Sequence, residues 1–357
     1  MGAVFSGAYL SGADFSGADL DGASPSPERD DNYKALDGRS PSIAEKKMPD
    51  ATEPKIDWSK GAAWMDGRYM PISDAKIGVL DWGFIHSDVS YDVVHVWDGA
   101  FFRLNDHLDR FREGMAAQHM AVSQSREEMS EILHGCVAQS GLRESYVAMV
   151  CTRGELSVPG SRDPRDCENR FFAYALPFIW VITPEAAQRG ARMLISKSTR
   201  RIPSDSVDPT IKNYHWGDFT RGLFEAKEAG FDSVILLDHA GNVTEGPGFN
   251  VFCIKDGRVI TPDAGHLMGV SRRTVLEMAE ELGMPVEVRP VPVAEFYEAD
   301  EVFLSTTGGG VRPVAQVDDR IYSNGAPGVQ TMRLHDHYWR WHAEGRYCEP
   351  VRYHCPD

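Results

Sequence analysis

Asp208-Pro209-Thr210-Ile211-Lys212-Asn213-Tyr214-His215-Trp216-Gly217-Asp218 sets one lysine between a proline and three large ring side chains, just ahead of an amphipathic run. A lysine that works as a neutral amine needs a lowered pKa, which an apolar, desolvated pocket supplies. Read alone, the stretch fits a solvated loop lysine better. Its meaning depends on what the rest of the chain brings to Lys212.

Working outward, 357 residues are enough for two domains, and 42% hydrophobic with 25% charged residues is the composition of a globular protein. The longest apolar run, Phe171 to Ile182, is too short for a membrane helix and contains Pro177. The first residues lack the basic region of an export signal, so neither membrane nor export is expected and the location expected is cytoplasmic. A formal net charge of −16 disfavours nucleic acid, and an anionic ligand needs a local cationic pocket. The six cysteines form no CxxC pair and no metal-ligand spacing with histidine, so reduced thiols and no metal are expected.

Residues 1–23 repeat every five residues, as in Ala13-Asp14-Phe15-Ser16-Gly17 and Ala18-Asp19-Leu20-Asp21-Gly22, and resemble the pentapeptide repeat. Residues 24–55 turn to Ser, Pro, Asp, Glu and Lys and read as a disordered linker. Beyond them, Asp66-Gly67, Asp98-Gly99 and Asp256-Gly257, each flanked by strand-forming residues, predict hairpins. Apolar spacing predicts helices over 105–115, 125–139, 217–229, 271–282 and 328–343. Strands are expected at 145–152, 170–182, 191–198, 231–237 and 301–306. The result is an α+β chain with a small domain at 56–182, a connection at 183–190 and a large domain at 191–357.

Several stretches, taken together, resemble the fold-type IV pyridoxal-phosphate enzymes, which include the branched-chain and D-amino-acid aminotransferases. His86-Ser87-Asp88-Val89-Ser90-Tyr91-Asp92-Val93-Val94-His95-Val96-Trp97 is similar to the HSDxTYDVxxVW motif of the (R)-selective amine transaminases within that class. The resemblance implies pyridoxal 5'-phosphate held by Lys212 as a Schiff base, with Glu245, in Thr244-Glu245-Gly246, facing the ring nitrogen. It implies a phosphate cradle of Arg110, the helix start at Val270 and Ser271, and Thr306 and Thr307. The implied substrate pocket is His86, Tyr91, Val93, Tyr146 and Trp216, with Gly308 and Gly309 as a wall and Arg162 as a mobile carboxylate ligand. Read singly, Arg110 is a helix-surface charge, Ser271 a plain N-cap and each aromatic a core side chain. Trp82, Pro247 and Gly308 depart from the subgroup's pattern.

The activity implied is ping-pong transfer of an amino group from an (R)-amine or D-amino acid to a keto acid such as pyruvate, in a homodimer. Branched-chain amino-acid aminotransferase, D-amino-acid aminotransferase and aminodeoxychorismate-type lyase are the alternatives on the same fold.

Overall fold

The computed structural model describes residues 56–353. The repeat and the linker, along with residues 354–357, lie outside the described residues.

The first sheet opens with the hairpin β1 (Ala62–Met65) and β2 (Arg68–Pro71), followed by the short helix α1 (Trp82–His86). The long strand β3 (Val89–Trp97) turns into β4 (Ala100–Phe102) and runs into α2 (Leu104–Ala117) and α3 (Arg126–Ser140). Strands β5 (Ser145–Leu156) and β6 (Cys167–Pro177) complete the meander. Both Asp-Gly turns close as expected, with Asp66 and Asp98 in the left-handed region at φ 51° and 50° and a glycine after each. Helix α3 begins on a capping box in which Ser125 and Glu128 satisfy each other's backbone N–H groups. Helix α2 starts one residue earlier than expected, because Arg103 at φ 55° turns the chain into it. Strand β6 stops at Pro177 and not at Ile182, since proline has no N–H to continue the ladder.

A second segment begins with α4 (Pro184–Arg189), β7 (Ala191–Arg200), α5 (Gly217–Glu228) and β8 (Ser233–Leu237). The short β9 (Glu245–Gly246) folds against β10 (Phe249–Lys255), which turns at Asp256-Gly257 into β11 (Arg258–Thr261). Helix α6 (Val270–Glu281), β12 (Val286–Val288), α7 (Val293–Tyr297), β13 (Glu301–Thr306), β14 (Gly310–Val317) and β15 (Arg320–Ile321) follow. Helix α8 (Val329–Ala343) then leads to β16 (Cys348–Pro350). The sheet orders are β16-β4-β3-β5-β6-β1-β2 and β12-β11-β10-β13-β14-β7-β8, with β15 and β9 paired to β14 and β10. The strands of the first sheet thus precede residue 178 and those of the second follow residue 190, except that β16 returns to the first sheet.

Period-two alternation on β3 separates two environments. Val94 and Val96 join Leu108, Phe111, Leu133 and Val147 under α2 and α3. Val89, Tyr91 and Val93 face the other way, with Ala148 and Val150 of β5. That second face points toward the second sheet and becomes one wall of a cavity.

Candidate active site

A cavity of about 340 Å3 lies where the two sheets face each other. Its first-sheet wall carries Tyr91, Val93, Tyr146, Tyr174 and Leu176. The other wall carries Lys212, Glu245, Asn250 and the start of α6, with Arg110 of α2 reaching across.

Lys212 arrives on a segment that docks directly onto β3. The Tyr91 N–H donates to the Lys212 carbonyl at 3.0 Å, and Ser90 and Asn213 form an isolated antiparallel bridge. The Lys212 Nζ consequently lies 4.5 Å from the Tyr91 ring centroid. Both the backbone and the ammonium of this lysine are thereby referred to one strand.

Glu245 is buried and doubly held. Its Oε1 accepts from Arg201 Nε at 3.1 Å, and its Oε2 from the Leu267 N–H at 3.0 Å. Burial pushes its carboxyl above the usual range, against the opposing pull of Arg201 and the Leu267 N–H. Arg201 also binds Asp218 at 2.6 Å, so one guanidinium joins two buried carboxylates. Asn250 donates to the Leu267 carbonyl at 2.8 Å, which fixes the peptide entering α6 from its other side.

Asp92 faces the helices, on the opposite side of β3 from Tyr91 and Val93. It accepts two hydrogen bonds from Arg110, at 2.7 and 2.8 Å, and one from His107 Nδ1 at 2.8 Å. Burial raises the Asp92 carboxyl, but Arg110 and His107 outweigh it and hold the group well below the carboxylate range. Burial lowers His107 in spite of Asp92, so a neutral ring donating from Nδ1 fits the pair. Arg110 gives a further hydrogen bond to the Met268 carbonyl at 3.1 Å. Three of the guanidinium's five N–H groups are committed, leaving two for an anion.

The described site fits a phosphorylated, ring-bearing group. Gly269, the residue before α6, offers the helix no side-chain cap, so its first N–H groups are left for a ligand. A Cβ on Gly269 would come within 2.1 Å of Asn250 Oδ1, so only glycine allows this close approach. Ser305 Oγ, on the same wall, is buried without a hydrogen-bond partner among the described residues. Cations, free donors and a buried acid converge on a space of suitable size.

Of the residues expected from sequence, the cavity gathers Lys212, Glu245, Arg110, Val270, Ser271, Thr306, Thr307, Tyr91, Val93, Tyr146, Trp216 and Gly308. Three are not among its lining residues. His86 ends α1 exposed, its ring 4.5 Å from the Trp82 ring centroid, so neither shapes the cavity. Arg162 is exposed on the loop between β5 and β6. Gly309 turns away at φ 132° against Arg312. Thr306 lines the wall, but its hydroxyl donates to the Gly248 carbonyl at 2.7 Å and accepts from Gly308 N–H, which braces the turn and leaves no hydroxyl hydrogen for a phosphate.

Sequence reasoning missed Arg201, Tyr174, Asn250 and Leu267. Tyr174 had a signal in the alternation of β6, which puts it on one face with Phe172 and Leu176. Only the pairing of Ala148 with Tyr174 shows which face that is. Arg201 had none, since Asp218 and Glu245 are remote in sequence.

An α+β scaffold with a lysine, a buried acid and a helix-start anion site between two sheets defines the fold-type IV class. The amino-transferase class IV family model matches residues 90–317, and the pentapeptide-repeat model matches residues 1–24. A protein of Methanocaldococcus jannaschii, provisionally named a branched-chain-amino-acid aminotransferase, is 30% identical over 77% of this chain and 94% of its own. The branched-chain-amino-acid aminotransferase of Pseudomonas aeruginosa is 29% identical over 78% of this chain and 92% of its own. Among solved structures, the branched-chain aminotransferase of the thermophilic archaeon Thermoproteus uzoniensis with norvaline superposes with a TM-score of 0.74 at 26% identity, covering 81% of this chain and 99% of that one. The chain belongs to the class IV aminotransferases, a family of pyridoxal-phosphate-dependent enzymes.

Proposed function

We propose that this chain transfers an amino group from a donor with an apolar body, an (R)-amine or a D-amino acid, to a keto acid such as pyruvate. The observation that carries the reading is the convergence of Lys212, Glu245, Arg110 and the uncapped start of α6 on one cavity. The donor class rests on the 86–97 motif, whose Tyr91 and Val93 both line that cavity. A second reading, a branched-chain amino acid as donor, is favoured by the names of the relatives above.

Pyridoxal phosphate, when bound, supplies an aldehyde for the amino group and a ring that accepts the electrons left when a proton leaves the substrate's Cα. Lys212 would hold the cofactor at rest and, released by the donor's amine, carry the proton on its Nζ. Glu245 would face the ring nitrogen, held in place by Arg201 and the Leu267 N–H, while its burial favours a proton shared at that position. Arg110, Thr307 and the N–H groups of Val270 and Ser271 would hold the phosphate. Tyr91, Val93, Tyr146 and Trp216 would enclose the donor's apolar body and exclude water, as their mainly apolar surfaces allow.

The chain would act as a homodimer, a reading supported by the run around α1 that leaves Val79, Leu80, Phe84 and Ile85 exposed, Val79 by 74% and Phe84 by 69%. Light scattering of the purified protein checks this, and a monomer at micromolar concentration overturns it. Substrate class is tested by offering (R)-1-phenylethylamine, D-alanine and L-leucine separately with pyruvate or 2-oxoglutarate. Turnover of the amine or D-alanine well above that of L-leucine supports the first reading. The reverse order replaces it with the second, and multiple-turnover release of pyruvate from added aminodeoxychorismate with no acceptor replaces both with a lyase.

A further inference from the structure

Five arginines among the described residues are buried: Arg103, Arg153, Arg201, Arg272 and Arg312. Arg103 meets Asp106 and Glu277, Arg153 meets Asp88, and Arg201 meets Asp218 and Glu245. Arg272 donates to the Pro262 carbonyl. Arg312, only 3% exposed, has its Nε and Nη2 buried without any hydrogen-bond partner among the described residues. The electron-rich face of Trp180 lies 4.3 Å from its guanidinium carbon. A buried charge left unpaired is costly, so a functional counter-charge is the question this side chain poses.

Its position suggests where that counter-charge comes from. Arg312 belongs to β14, and the turn at 307–309 joins that strand to β13 with Thr306 paired to Gly310. Gly308 lines the cavity, whereas Gly309 is pressed onto the guanidinium. A Cβ on Gly309 would lie 2.4 Å from both Nε and Nη2, so the missing side chain is what admits the charge directly behind the wall. The other arginines at the cavity are already balanced, Arg110 by Asp92 and Arg201 by two carboxylates. Arg162, the arginine expected to meet a carboxylate, is exposed outside the lining. Burial lowers the Arg312 guanidinium only to about 10, which leaves it charged at neutral pH.

We propose that Arg312 is a positioning residue for the substrate carboxylate, its charge acting through the turn at 307–309 to favour ligands that bring an anion to the Gly308 wall. The proposal rests on the aminotransferase reading, because a keto-acid acceptor is what carries that carboxylate into the cavity. It concerns discrimination and not chemistry, since Arg312 is separated from the reacting atoms by the turn.

The test compares two unreactive probes on the cofactor-loaded protein by calorimetry, 4-methylvaleric acid and its neutral amide. In the wild type the acid should bind more tightly than the amide. In Arg312→Met that acid-to-amide preference should fall about tenfold, while amide affinity is retained. Arg312→Lys, which keeps the charge, should restore most of the preference. In steady-state kinetics with any donor that turns over, Arg312→Met should raise the KM for the keto acid and leave kcat within about threefold. If Arg312→Met does not fold, Arg312→Gln, closer in size and polarity, is read in its place. Equal loss of acid and amide binding means a structural role and overturns the proposal, as does a wild type that does not distinguish the two. Because the probes need no turnover, a wild type that prefers the acid but transaminates none of the donors sinks the functional reading and not this one.

Discussion

The two walls of the cavity face the same space with different chemistry. The second-sheet wall carries charge and donors: Lys212, Glu245 with its Arg201 and Leu267 partners, and the open end of α6. The first-sheet wall presents Tyr91, Val93, Tyr146, Tyr174 and Leu176, and burial pushes the Tyr146 and Tyr174 phenols above their usual range. Each wall has a buried carboxylate in support, and the two are set in opposite directions. Asp92 is held firmly ionised by Arg110 and His107, whereas Glu245 is shifted toward its protonated form. A strongly paired acid holds a side chain in place, and a weakly compensated one remains available to share a proton.

The comparison breaks first at Lys212. Lys212→Ala should cut turnover at least a thousandfold and abolish the visible absorbance of bound cofactor, with little change in the fold by circular dichroism. A variant that keeps a tenth of wild-type activity would remove the lysine from the charged wall's chemistry.

Asp92→Asn tests the support of the other wall. Removing one partner of a buried pair should destabilise the protein by about 3–5 kcal/mol in denaturant titration and loosen Arg110 enough to weaken cofactor retention. The pH dependence follows from the sign of the shift. Because the folded Asp92 pKa is depressed, its stabilisation is present above its unfolded value of about 4 and is lost as pH falls below it. Asp92→Asn should therefore flatten the loss of stability in acid, and an unchanged acid limb would show that Asp92 does not carry it.

Glu245→Gln should separate activity from stability. Its folded pKa is raised, so the folded protein favours its protonated form and the stability it contributes is lost as pH rises through the folded value. Glutamine leaves Arg201 paired with Asp218 alone, so the cofactor-free protein should be as stable at neutral pH as the wild type, or slightly more so. Turnover should fall about a hundredfold. A large drop in melting temperature would mean that Glu245 is chiefly a structural counter-ion to Arg201.

The smallest effect is expected on the apolar wall. Val93→Ala removes two methyl groups from the cavity lining and should change the preference between bulky and small donors by about three- to tenfold in kcat/KM, with the cofactor spectrum unaltered. An altered spectrum would show that the two walls are not separable in this way.

Much of this arrangement was legible in the sequence. Asp-Gly pairs marked three hairpins because two successive left-handed residues are what a tight two-residue turn requires, and all three formed. The helices over 104–117, 126–140, 217–228 and 270–281 followed apolar spacing to within a residue or two. Lys212, Glu245, Arg110 and the α6 start were identified by motif and came together in one cavity. The short elements α1, α4, α7, β12 and β16 were not anticipated, since pieces of three to six residues owe their form to what they pack against.

Sequence by itself determined the local elements and the family, and singled out the residues proposed to handle the cofactor, because these depend on spacing along the chain and on side-chain chemistry. Only the tertiary structure decided which face of each strand met the cavity, placed His86 and Arg162 outside its lining, joined Arg201 to Glu245 and left Arg312 without an acid among the described residues. Those outcomes depend on strand pairing and burial. A strand's alternation defines two faces, but only its neighbours decide which one sees the ligand, and a charge is costly or useful according to groups that lie far away in sequence.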